Sequence, residues 1–173
     1  KVLLSDDQED ELLCGTFVDP EVGDTIACGM GEGILTVWKP KKNDLEDQVN
    51  RVKICKDESI DCVVPSLQDD SCVWCGCSNG MIYKVDVKGG RVVEKRKHSS
   101  TDEVTFLDLD FEYRIASGGM DKLLIWELNG QETHDESSDI ELSSSPSSDP
   151  DSSGDDSGIS GEGSDSDENG IWE

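Results

Sequence analysis

Ser117-Gly118-Gly119-Met120-Asp121-Lys122-Leu123-Leu124-Ile125-Trp126-Glu127 reads as the end of one strand, a tight turn, and a second strand that closes on Trp126 and an acid. Small residues and glycine stand where a chain must reverse with little side-chain bulk. Two earlier segments superimpose on it. Cys28-Gly29-Met30-Gly31-Glu32-Gly33 runs into Ile34-Leu35-Thr36-Val37-Trp38-Lys39, and Cys75-Gly76-Cys77-Ser78-Asn79-Gly80 runs into Met81-Ile82-Tyr83-Lys84-Val85-Asp86. Upstream of each lies a further apolar stretch: Leu12 to Val18, Ile60 to Val64 and Val104 to Leu109. More polar stretches follow the first two, Arg51 to Cys55 and Arg91 to Glu94. The runs are short, rich in β-formers and punctuated by Gly, Pro or Asp. No stretch sustains a helical period, and Asp44-Leu45-Glu46-Asp47-Gln48, the only helix-compatible piece, reads as loop. Four strands per repeat of about 42 residues is the period of a propeller blade.

The residues that close the third repeat resemble the end of a WD repeat. His98 stands upstream, where that family often carries a histidine. The resemblance implies that His98, Ser117, Asp121 and Trp126 form one structural hydrogen-bond network within a blade. It covers residues 2–128 and implies an all-β fold of about three WD-repeat β-propeller blades. Lys97 stands where the family has Gly before the His, and Val85 and Asn79 replace Trp and Asp in the second repeat. Asp57-Glu58-Ser59-Ile60-Asp61-Cys62, Val73 to Gly80 and Asp102 to Asp110 are similar to a fungal nucleolar WD-repeat subfamily akin to animal WD repeat-containing protein fifty-five. That resemblance implies the nucleus and nucleolus, rRNA processing and biogenesis of the large ribosomal subunit. Its implied partners are proteins, basic ribosomal or pre-ribosomal factors. Three blades do not close a ring, and the first residue is Lys1 rather than Met. The expectation is a C-terminal fragment of a seven-bladed propeller.

The chain has 173 residues, 40 Asp/Glu against 15 Lys/Arg, and a net charge of −25. Residues 1–130 form the blade region. The 43 residues of 131–173 carry 14 acids, no Lys or Arg and 13 Ser, which predicts a disordered acidic tail. Ser138, Ser148, Ser152, Ser153 and Ser164 each have an acid three residues on, the pattern of acidophilic kinases. Each phosphate would add roughly −1.5 to −2 charges. A polyanion attracts basic proteins and repels nucleic acid, so no direct sequence-specific nucleic-acid binding by this chain is expected. Trp172 is a candidate docking residue. No apolar run approaches the ~20 residues of a spanning helix, so no membrane partner is expected.

Seven cysteines without a secretory pattern read as free thiols of a reducing compartment. Cys72-Val73-Trp74-Cys75-Gly76-Cys77 invites a metal or redox reading. On a strand, however, Cys75 and Cys77 share one face and Cys72 takes the other, and no helix follows. Gly29 to Gly33 lacks the Lys-Ser/Thr and the helix of a phosphate loop. His98, Ser117 and Asp121 could be assembled into a hydrolytic triad, but the blade network accounts for them better. No catalytic residue, cofactor or metal is assigned. Lys39, Lys41 and Lys42, and Lys95-Arg96-Lys97, are the basic clusters, the second a candidate for nuclear import or an RNA contact. The reading is a non-enzymatic interaction scaffold. The alternatives are a substrate receptor for a cullin-type ubiquitin ligase, and an acidic chaperone for basic proteins.

Overall fold

The computed structural model describes residues 1–127. The acidic segment 131–173, its five candidate serines and Trp172 lie outside the described residues. Among the described residues, eleven strands form three antiparallel sheets. The first comprises β1 (Leu12–Phe17), β2 (Ile26–Met30), β3 (Ile34–Trp38) and β4 (Asn50–Lys53). The second comprises β5 (Ile60–Pro65), β6 (Cys72–Cys77), β7 (Met81–Asp86) and β8 (Arg91–Lys97). The third comprises β9 (Phe106–Leu109), β10 (Ile115–Gly118) and β11 (Leu123–Trp126). Each strand pairs with its neighbour in sequence, so every sheet is a meander, as a propeller blade requires. The expected all-β architecture of blade-like sheets is the one found.

The loop between β3 and β4 holds one turn of helix, α1 (Pro40–Asn43), which the sequence reading did not anticipate. Pro40 supplies the φ of a first helical position, and Asp44 and Leu45, both at positive φ, stop the turn at once. Residues 44–48 are loop, as read.

Two apolar layers hold the blades together. Leu35, Val37, Ile60, Val73, Cys75 and Val85 are among the residues between the first and second sheets. Trp74, Ile82, Val104, Leu107 and Ile115 fill the space between the second and third. The second sheet is therefore covered on both faces, and all six residues of β6 are buried. Cys72 and Cys75 point to opposite faces, but neither face meets solvent.

Glycine sets the distance between blades. A Cβ on Gly29 would stand 2.6 Å from Ile60 Cγ2, and one on Gly76 would stand 2.6 Å from Val104 Cγ1. At both places the inner strand of the same blade carries a bulge and a cysteine. Cys14 Sγ–H donates to Ile60 O across to the next blade (3.2 Å), and Cys62 Sγ–H donates to Val104 O in the same manner (3.3 Å). A thiol is a weak donor but a good small apolar filler. The repeat thus uses cysteine beside glycine as its inter-blade joint.

Arg96 closes the second layer. Its guanidinium lies over Trp74 at 4.9 Å and over Trp126 at 5.8 Å, and its Nε donates to Glu94 Oε1 at 2.7 Å. The residue is buried, so this member of the Lys95-Arg96-Lys97 run is not offered to a nucleic acid or an import receptor. Arg96→Ala removes a desolvated cation–π contact and the aliphatic stem that packs beneath it. We expect a loss of about 2 kcal/mol in urea unfolding. Arg96→Lys should lose about half of that, since a compact ammonium cannot stack on two rings.

Candidate functional site

The described residues offer two places where polar side chains converge: a buried network within the third blade, and a cleft at one end of the first two. The network is built by the loop before β9, by β10 and by β11. Trp126 Nε1–H donates to Ser117 Oγ at 2.7 Å, and Ser117 Oγ lies 2.9 Å from His98 Nδ1. One assignment serves both contacts: Ser117 accepts from the indole and gives its own proton to Nδ1. The imidazole proton then sits on Nε2, which has no hydrogen-bond partner and faces Asp102 Oδ2 at 4.0 Å.

The structure brings together three of the four residues expected of this network. The carboxylate beside His98 belongs to Asp102, whereas Asp121 is exposed in the turn. Asp102 accepts the backbone N–H groups of Met120 (2.9 Å) and Asp121 (3.0 Å), which holds its carboxyl below the usual carboxylate range. Ser99 Oγ in turn accepts the N–H of Asp102 at 3.1 Å. Asp121 thus contributes its backbone and Asp102 its side chain. Loop and turn are locked to each other, and a Ser-x-x-Asp cap just after the histidine is the sequence signal for it.

Such a constellation is not catalytic machinery. Ser117 is 0% exposed, its oxygen already accepts the indole N–H, and no substrate can approach it. Burial, opposed in part by Asp102 and assisted by Lys122, pushes the His98 imidazole below its ordinary value. The folded state therefore holds the neutral ring. Its stability contribution is complete above the unfolded value near 6.5 and is lost as pH falls from there through the depressed folded value. Urea midpoints measured between pH 7.5 and 5 should fall on acidification, and His98→Gln should flatten that slope.

The first blade solves the same problem with other atoms. Trp38 Nε1–H donates to Thr36 Oγ1 at 3.0 Å, and Thr36 Oγ1–H to Cys28 O at 3.2 Å. In the second blade Val85 and Cys75 stand at the Trp and Ser positions, so apolar packing replaces the network. Its loop is held instead by Ser78 Oγ–H donating to Glu58 Oε2 at 2.7 Å, with Ser59 N–H donating to Ser78 Oγ at 2.9 Å.

The seven cysteines are free. Burial pushes Cys14 up to about 11, and Cys62 and Cys75 upward as well, so these thiols stay protonated at neutral pH. Among the described residues no group of three or more His, Cys, Asp or Glu is placed to hold a metal ion. No helix among them is long and apolar enough to cross a membrane.

The cleft lies at the end of the blades that carries the β1–β2, β3–β4, β5–β6 and β7–β8 connections. Its volume is about 540 Å3, and Val18, Val37, Lys39, Asp70 and Val87 are among its walls.

No protein-family model matches the sequence. The chain is 71% identical over 136 residues to WD repeat-containing protein JIP5 of Vanderwaltozyma polyspora, covering 79% of this chain and 24% of that protein. It is 67% identical over 151 residues to the JIP5 protein of Saccharomyces cerevisiae (87% and 29%), and 46% identical over 143 residues to that of Meyerozyma guilliermondii (79% and 29%). The chain spans under a third of the length of these relatives. Its fold matches a chain in the crystal structure of the Mitotic Checkpoint Complex at a TM-score of 0.57 and 18% identity, over 70% of this chain and 35% of that one. The blade meanders, the His98–Ser117–Trp126 network and relatives that carry the WD-repeat name at 46–71% identity together support the WD-repeat family for this chain over the stretch they match.

Proposed function

We propose that this chain is part of a non-enzymatic WD-repeat interaction scaffold that works in the nucleus and nucleolus, in rRNA processing and biogenesis of the large ribosomal subunit. What supports this reading is the resemblance of three segments, Asp57 to Cys62, Val73 to Gly80 and Asp102 to Asp110, to the fungal nucleolar subfamily akin to animal WD repeat-containing protein fifty-five, alongside relatives that carry the WD-repeat name at 46–71% identity. The three segments contain the capping residues Glu58, Ser78 and Asp102 and the fully buried Trp74. Charge supports it from a second side. A chain at −25, with −14 of it in 131–173, suits basic partners such as ribosomal proteins and repels bare RNA.

The test is affinity purification of the intact protein from cells, with bound proteins and RNA identified. Large-subunit precursors and precursor rRNA in the eluate are the expected result. A cullin and its adaptor without precursor rRNA would replace this reading with that of a ubiquitin-ligase receptor. Removing 131–173 should reduce recovery of basic proteins and leave the rest of the assembly. Complete loss of function on that deletion would favour an acidic chaperone in which the blades are passive.

A further inference from the structure

We propose that Cys55 and Cys77 form a dithiol site that hydrogen peroxide oxidises reversibly to a disulfide joining the first blade to the second. Cys55 follows β4 and hangs from the first blade: its N–H and that of Ile54 both donate to Gly33 O (3.4 and 2.9 Å). Cys77 ends β6 of the second blade. The two sulfurs lie 3.6 Å apart, and both residues are buried. A disulfide needs about 2.0 Å, so the sulfurs must approach by roughly 1.6 Å. Cys55 opens a loop whose next two residues, Lys56 and Asp57, are exposed, so the movement falls on a segment with room to make it.

The two sulfurs are chemically unlike. The Cys77 S–H donates to a Cys55 thiolate, and with help from Lys53 this outweighs burial and holds Cys55 below the ordinary thiol value. Among the described residues Cys55 is the one cysteine shifted that way. Burial holds up Cys28 and Cys75, and also Cys14, Cys62 and Cys72, whose S–H groups donate to Ile60 O, Val104 O and the Asp69 carboxylate. Cys55 keeps 6% exposure and Cys77 none, so a small oxidant meets Cys55 first. The Cys55 thiolate attacks one peroxide oxygen and the O–O bond breaks. Hydroxide leaves and takes up a proton as water, and Cys55 becomes a sulfenic acid. The hydrogen bond to Cys55 is the chief hold on the Cys77 proton, and the neutral sulfenic acid removes the thiolate that accepts it. Cys77 sulfur then attacks Cys55 sulfur, the S–O bond breaks, and the hydroxyl leaves with the Cys77 proton as a second water. Two thiols give up two electrons and two protons, and peroxide receives them. A small thiol such as glutathione restores the pair by exchange.

The experiment treats the intact, reduced protein with hydrogen peroxide in the absence of denaturant, alkylates the remaining thiols and sequences the linked peptides. One intramolecular Cys55–Cys77 bond should form, about tenfold more abundant than any other linkage, and glutathione should reverse it. Concentrated urea should abolish the preference, since the fold creates it. Dimedone should trap a sulfenic acid on Cys55 in Cys77→Ala and none on Cys77 in Cys55→Ala. The oxidised protein should unfold at a urea midpoint about 1 M higher than the reduced one. A different first linkage, a bond between two molecules, or no bond under peroxide sufficient to oxidise free glutathione would overturn the proposal. So would a sulfenic acid trapped on Cys77 rather than Cys55, or an oxidised midpoint unchanged or lowered. The linkage map is made on the unaltered chain, so it decides the matter even where an alanine variant fails to fold.

Discussion

Gly80→Ala is expected to cost about 2–5 kcal/mol of folding stability. Gly80 sits at φ +74°, in the left-handed region, where a side chain costs about 1–2 kcal/mol by itself. A Cβ there would also strike two backbone oxygens, Ser99 O and, at 2.6 Å, Asp102 O. Backbone cannot rotate aside as a side-chain tip does, so overpacking adds a further ~1–3 kcal/mol. The same turn carries the carbonyl that accepts the N–H groups of His98 (2.9 Å) and Ser99 (3.2 Å), so any shift propagates into the loop that presents His98. Gly23→Ala is the internal control. Gly23 has φ +61° but nothing within 4 Å of an added Cβ, so its cost should stay near 1 kcal/mol. Gly33, which faces Cys55 O and Glu58 O as Gly80 faces Ser99 O and Asp102 O, should behave like Gly80. Urea unfolding of the three alanine variants separates conformational strain from steric clash. Equal costs at Gly23 and Gly80 would show that the close approach of the next loop contributes nothing.

How much of this was legible in the sequence depends on the range of the interaction. The eleven strands were readable because each is a short run of β-formers closed by Gly, Pro or Asp, and such signals are local. The blade period was readable because three small-Gly turns repeat. Longer-range features were not. Alternation along Cys72 to Cys77 cannot say that both faces of the strand are covered, since that depends on having a blade on either side. The bulges beside Cys14 and Cys62 shift the register by one residue and aim each thiol at the next blade's carbonyl, which no period-2 reading captures. The short turn at Pro40 escaped because a single helical turn has no periodicity to detect. The cleft escaped because its valines and lysines come from three separate connections and from strand β3. The network was half readable: His, Ser and Trp lie at family positions, but which of two aspartates faces the histidine is decided by how one loop folds over a turn.

That last choice yields the second large effect. Ser117→Ala should cost about 2–4 kcal/mol, because it strands two groups at once: the half-buried Trp126 indole N–H and the buried His98 ring nitrogen each lose their only partner. Ser117→Thr keeps the hydroxyl on a strand that tolerates a β-branched residue, and should recover most of the loss. The two aspartates then discriminate between arrangements. If the carboxylate at His98 were that of Asp121, Asp121→Ala would lower the urea midpoint and Asp102→Ala would not. The geometry predicts the reverse. Asp121 is exposed and lends only its backbone N–H, which alanine retains. Asp102 holds two N–H groups of the turn, and its loss frees loop and turn together. Acid titration gives the same answer by another route. The Asp102 carboxyl is held low by those N–H groups, so its contribution is present above the unfolded value near 3.9 and disappears as pH falls through the lower folded value. Asp102→Asn should therefore remove part of the stability lost between pH 4 and 2, while Asp121→Asn leaves that part of the curve in place. A curve altered by Asp121→Asn and not by Asp102→Asn would reassign the network to the turn.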